Sequence, residues 1–130
     1  MSLEFNTLIP KDKFDFERVN ELKKLDAEMI KPIIPQLFEW IQDINWPIAR
    51  EIAQILIKCN EETLPHIREI LLGDDYDWKY FCLAFVVEAL PKEIKKELRT
   101  DLERLAFNPS QDEVLFEIDD EARNILNRIG

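Results

Sequence analysis

"DINWPIAREIA" occupies residues 43–53, and thirty-two positions later the chain reads "DYDWKYFCLAF", residues 75–85. Asp, an apolar residue, Asn or Asp, then Trp comes round twice, each time opening an apolar stretch. Asn45 and Asp77 carry side-chain oxygens that can accept from first-turn N–H groups, so each is expected to cap a helix. Trp46 and Trp78 then take the first helical position, and Pro47 falls in the first turn, where its missing N–H costs nothing. After Asn45, Ile48, Ile52, Ile55 and Leu56 share one face. After Asp77, Phe81, Cys82, Phe85 and Val86 lie on one side and Leu83, Ala84 and Val87 on the other. A helix apolar nearly all round lies between neighbours, so this one is expected to be the most buried element. The two tryptophans are expected in equivalent, largely buried places.

The echo extends upstream. "PQLFEWIQ" from Pro35 aligns with "PHIREILL" from Pro65, and Pro91 opens a third segment, "PKEIKKELRTDLERLAF", with Ile94, Leu98, Leu102 and Leu105 as its stripe. The chain thus reads as paired helices at a period of about thirty residues, the pattern of a stacked α-hairpin solenoid. A plain helix bundle with accidental matches is the competing reading. The expectation is an all-α chain of six to seven helices packed as sequential antiparallel pairs. Residues 1–14 read as an extended strap, with Leu8 and Ile9 tucked against the body. Asp15 and Asp26 read as caps, and a main helix is expected from about Pro35 to Ile44. Residues 111–130 supply a C-terminal capping helix, started by Asp119 or Asp120.

Composition agrees with this. One hundred and thirty residues suit one domain, residues 1–130, and only two are glycine, too few for a β-sandwich or a doubly wound fold. The formal net charge is -10. Such a chain repels phosphates and anionic membranes, so neither nucleic acid nor membrane is expected as a partner. "MSLEFNTLIP" has no basic or apolar signal region, and "FCLAFVV", Phe81 to Val87, is far too short to cross a bilayer. Cys59 and Cys82 lack metal-ligand spacing and read as reduced core residues, which points to the cytoplasm.

Catalytic signals are missing. His66 is the one histidine, and Ser2 and Ser110 are the only serines. Cys59 lies close enough in sequence to meet His66, but a buried structural Cys beside a surface His is the better reading. Without glycines there is no phosphate-cradling loop. "GDDYD", residues 73–77, has the Asp75 and Asp77 spacing that opens a calcium loop, but Lys79 stands where the next ligand belongs. It reads as an interhelix loop. Lys92, Lys95, Lys96 and Arg99 form one basic stripe, which Glu93, Glu97 and Asp101 can neutralise within the helix. No catalytic, cofactor or metal residue is expected, although carboxylates brought together by folding stay open.

What remains is surface. Asp74, Asp75, Asp112, Glu113 and Glu117 are candidate acids for binding a protein partner, and two functions are open. The first is a protein-interaction module with an apolar groove. The second is an acidic, immunity-type neutralising partner of a basic toxin or nucleic-acid-binding protein, with one continuous acidic face. Replacing Asp112, Glu113 and Glu117 by Gln is expected to slow association and to leave thermal stability nearly unchanged. The sequence sets no oligomeric state.

The Asn45-Trp46-Pro47 segment, "LGDDYDWKYF" (72–81), "DEARNIL" (120–126) and the opening "LIPKDKFD" (8–15) together resemble a family of small bacterial proteins known as a domain of unknown function (family 5071). The resemblance spans nearly the whole chain. It implies an α–α superhelix of HEAT/ARM-like antiparallel helix pairs, and it carries no activity, cofactor or catalytic residue. Some HEAT-like proteins are DNA glycosylases, but those are longer and have a basic concave face, so that activity is not transferred.

Overall fold

The computed structural model describes residues 8–129. All its regular elements are helical: no strand occurs among the described residues. Asp15 Oδ1 accepts from the Arg18 N–H at 3.2 Å and starts α1 (Phe16–Leu22). Asp26 does the same through the Met29 N–H at 3.1 Å for α2 (Ala27–Ile30). A 3-10 turn over Lys31–Ile33 leads into α3 (Ile34–Glu39), which has Pro35 in its first turn. Then come α4 (Ala49–Lys58), a 3-10 turn at Asn60–Thr63 and α5 (Leu64–Leu72), with Pro65 again in the first turn. α6 (Tyr76–Phe85) is followed by a 3-10 turn at Val87–Ala89 and by α7 (Lys92–Lys96). α8 (Arg99–Phe107), α9 (Gln111–Leu115) and α10 (Ile118–Ile129) complete the chain.

These helical segments outnumber the six or seven expected. Prolines and turns cut the long periodic stretches into short pieces, because a ring that removes an N–H is tolerated only in a first turn. The helix expected over Pro35 to Ile44 stops at Glu39. The stretch from Pro91 divides into α7 and α8 around Leu98. The C-terminal cap is two helices, and its last one begins at Ile118 rather than after Asp119 or Asp120. Glu117 precedes it at φ 61°, a left-handed backbone that sharply separates α9 from α10.

The two Trp segments are not equivalent. Asn45 caps nothing: its own N–H donates to Asp43 Oδ1 at 2.9 Å, and Asn45, Trp46 and Pro47 form the turn before α4. α6 is capped by Asp75, whose Oδ1 accepts from the Trp78 N–H at 3.1 Å, so Asp77 lies inside the helix. Trp78 is therefore a first-turn residue of α6, while Trp46 stands outside α4. Both are half-buried. Trp46 packs edge-on against Trp40 with ring centroids 5.6 Å apart. Nor is α6 the most buried helix. Its fully buried residues are Lys79, Cys82 and Leu83, whereas α4 buries Ala49, Ile52, Ala53, Ile55 and Leu56. Aromatic rings at 76, 78, 80, 81 and 85 reach past the core and stay half covered.

Other expectations are met. Leu8 is buried and Ile9 packs on the core; the strap's residues 1–7 lie outside the described residues. Val19, Leu22, Leu98, Leu102, Leu105, Ala122 and Ile125 are buried, and Cys59 and Cys82 are buried free thiols. α1 and α3 pack on α4, α3 and α6 on α5, and α10 on α6 and α8.

Candidate functional site

A cleft of about 340 Å³ opens where α3, α5 and the start of α6 converge. Pro35, Phe38 and Glu39 come from α3, and His66, Glu69 and Ile70 from α5; Gly73, Asp74 and Asp75 form the connecting loop, and Trp78 belongs to α6. The Pro-started helices α3 and α5 pack against each other, which aligns their exposed edges. The Asp75 cap then fixes the first turn of α6 beside them. Trp78 Nε1 donates to the Phe38 carbonyl oxygen at 2.8 Å, which holds the indole across the cleft. The Phe38 and His66 rings lie 6.3 Å apart and are tilted by 37°.

The charge in this lining is of one sign. Glu39, Glu69, Asp74 and Asp75 are present, with no Lys or Arg. No Ser, Thr or Cys lines the cleft either, and Phe38 is only 1% exposed, so the groups open to a ligand are the carboxylates and the half-buried rings of His66 and Trp78. That combination suits an ammonium or guanidinium group, which gains from charge-assisted hydrogen bonds and from stacking on aromatic faces. Asp74 and Asp75, singled out from the sequence, are thus at the site. Glu39 and Glu69 were missed, because only the packing of α3 on α5 brings them to the same opening.

The second acidic run divides. Glu113 does not face solvent: it is 1% exposed. Lys79 Nζ donates to its Oε2 at 2.7 Å, Arg104 donates to Oε2 at 2.7 Å and to Oε1 at 3.1 Å, and the Ser110 N–H donates to Oε1 at 2.8 Å. Burial alone would raise its pKa; the Arg104, Lys79 and Ser110 donors outweigh that and hold it at about 2. Both Glu113 oxygens are thus engaged within the fold, so its replacement is expected to cost stability rather than to leave it nearly unchanged. A signal for this stood in the sequence. Ser110 followed three residues later by Glu113 is a capping box, and the Ser110 Oγ does accept from the Glu113 N–H at 3.1 Å.

Asp112 is exposed and lies beside Tyr76. Burial, then the charges of Asp112 and Asp74, push the Tyr76 phenol up. The two acidic runs, far apart in sequence, therefore meet at Tyr76, next to the cleft residue Asp75. Phe116 stacks on the same ring with centroids 5.4 Å apart. Glu117 is exposed, and the Tyr80 phenol is raised by burial and then by the charges of Glu121, Glu117 and Glu88. Glu121 belongs to a carboxyl pair that sequence reading could not see. Burial and then the adjoining Glu88 carboxyl raise its pKa to about 7, while Arg128 pairs with Glu88.

Among the described residues no group of three or more His, Cys, Asp or Glu is placed to hold a metal ion, and no helix is long and apolar enough to cross a membrane. Fold and cleft together define an all-helical protein with an acidic, aromatic-walled opening. The chain belongs to the family described as Domain of unknown function (DUF5071), which it matches over residues 8–126. No curated protein matches it.

Proposed function

We propose that this protein is a non-enzymatic protein-interaction module whose cleft receives a Lys or Arg side chain of a basic partner. The observation that carries this reading is the lining itself, four carboxylates and no Lys or Arg beside the rings of His66 and Trp78. The finer architecture we propose is a short HEAT-like superhelix. Its support is that neighbouring helices pack on one another along the chain, from α1 on α4 through α3 on α5 and α5 on α6 to α10 on α6 and α8. Buried free thiols suit a reducing, cytoplasmic setting.

The acidic, immunity-type alternative has one observation in its favour, the meeting of Asp74 and Asp112 at Tyr76. It gives the cleft a neighbouring acidic surface on which a basic toxin or nucleic-acid-binding protein would be neutralised. In that case bound partner loses its own activity; in the first reading it need not.

The test is quantitative binding of a partner purified after capture from native lysate. Affinity should fall as salt rises, and Glu39→Gln/Glu69→Gln/Asp74→Asn should weaken it by about ten-fold or more. Affinity indifferent to both salt and this triple variant would sink the cleft as the binding site.

A further inference from the structure

Four of the eight large apolar side chains standing exposed among the described residues fall between Phe107 and Phe116. Leu115 is 73% exposed and Phe107 71%, with Val114 and Phe116 beside them in the chain. Val114 and Leu115 are exposed and Phe116 is only partly covered by Tyr76, and clustered apolar exposure marks a binding surface. Phe116 stacks on Tyr76, which follows the cleft residues Asp74 and Asp75 in the chain, so the ridge lies near that opening without lining it.

The polar surroundings say what covers it. Asp112 in α9 and Glu117, the residue after Phe116, are exposed. Arg104 of α8 and Arg123 of α10 are already engaged: Arg104 donates twice to Glu113, and Arg123 donates to Asp119, Asp120 and the Ala106 carbonyl. The uncompensated charge is negative. A second copy of the chain is a poor occupant, since two such ridges would bring like acids together in molecules of net charge -10.

We propose that the ridge Val114–Leu115–Phe116 docks a basic amphipathic segment of a partner protein. Its apolar side chains lie on the ridge and its basic ones turn to Asp112, Glu117 and the cleft. This rests on the reading of the cleft as a site for cations, and it adds an apolar contact that the cleft does not supply. The full chain is titrated calorimetrically with a synthetic leucine–lysine peptide whose leucines recur at helical spacing. Two control peptides replace either every leucine by serine or every lysine by glutamate. The leucine–lysine peptide should bind, and each control should bind more weakly by about ten-fold or more. Val114→Ser/Leu115→Ser, at exposed positions, should weaken the leucine–lysine peptide by a similar factor and leave the leucine-free basic peptide unaffected.

Loss in the ridge variant alone supports the ridge and sinks the cleft reading; loss in Glu39→Gln/Glu69→Gln/Asp74→Asn alone does the reverse. The proposal is overturned if the leucine–lysine peptide fails to bind, or if the leucine-free peptide binds equally well. It is also overturned if sedimentation shows a dimer that Val114→Ser/Leu115→Ser dissolves.

Discussion

Glu113 illustrates how differently one carboxylate behaves once it is inside. Among six acids and no base between Asp112 and Glu121, it is the one held by Lys79, Arg104 and the Ser110 N–H. Its partner Lys79 is itself only 3% exposed. Two charges removed from water are tolerated only while each satisfies the other, and removing one leaves the second stranded. Glu113→Gln should therefore cost about 3–5 kcal/mol in urea denaturation. Asp112→Asn and Glu117→Gln, at exposed positions, should stay within about 0.5 kcal/mol. Lys79→Met/Glu113→Met should lose less than Glu113→Gln, since no charge is then left buried. Equal stability of Glu113→Gln and the parent would show that the ion pair is not formed.

At the scale of the element, the start of α6 decides the cleft. Asp75 Oδ1 accepts from the Trp78 N–H, and that bond fixes the turn from which Trp78 reaches the Phe38 carbonyl. Asp77 lies two residues further on, exposed, with its charge near the positive end of the helix. Removal of a capping side chain typically costs about 1 kcal/mol, and a first-turn charge contributes about 0.3–1 kcal/mol when exposed. Asp75→Ala should accordingly lower the thermal midpoint more than Asp77→Ala and should shift the Trp78 fluorescence. The opposite order would restore Asp77 as the cap.

For the molecule as a whole, two carboxyl groups, buried Glu113 and half-buried Glu121, shape stability against pH in opposite directions. Glu113 falls from an ordinary 4.5 to about 2, so its contribution is fully present above 4.5 and is lost as pH drops through 2. Glu121 rises from 4.5 to about 7, so the folded chain holds a proton that the unfolded chain has released. Its effect is to make stability decline as pH climbs from about 4.5 to 7. The net charge of -10 adds self-repulsion with the same sign. The thermal midpoint should thus be higher near pH 5 than near pH 8, and Glu121→Gln should flatten the difference by raising the pH 8 value. A midpoint that rises steadily from pH 5 to 8 would show that Glu121 is not held protonated beside Glu88.

The sequence by itself determined that the chain is helical, where most of the apolar stripes lie, and which family it belongs to. Glycine scarcity, helical spacing at Ile52, Ile55 and Leu56 or at Leu98, Leu102 and Leu105, and the Asp15 and Asp26 caps are local properties that neighbours along the chain suffice to set. Half of the cleft's four acids were legible for the same reason, since Asp74 and Asp75 form one loop. The matching letters around Trp46 and Trp78 misled, because a cap is chosen by backbone geometry and Asp43, Asn45, Asp75 and Asp77 all carry capping chemistry. Only the tertiary structure decided which acids are which. Packing of α3 on α5 puts Glu39 and Glu69 on one cleft, the charges of Asp112 and Asp74 both act on Tyr76, on which Phe116 stacks, and the docking of α9 turns Glu113 inward onto Lys79. A charge's role depends on what faces it across space, and those partners lie 30 to 40 positions away along the chain.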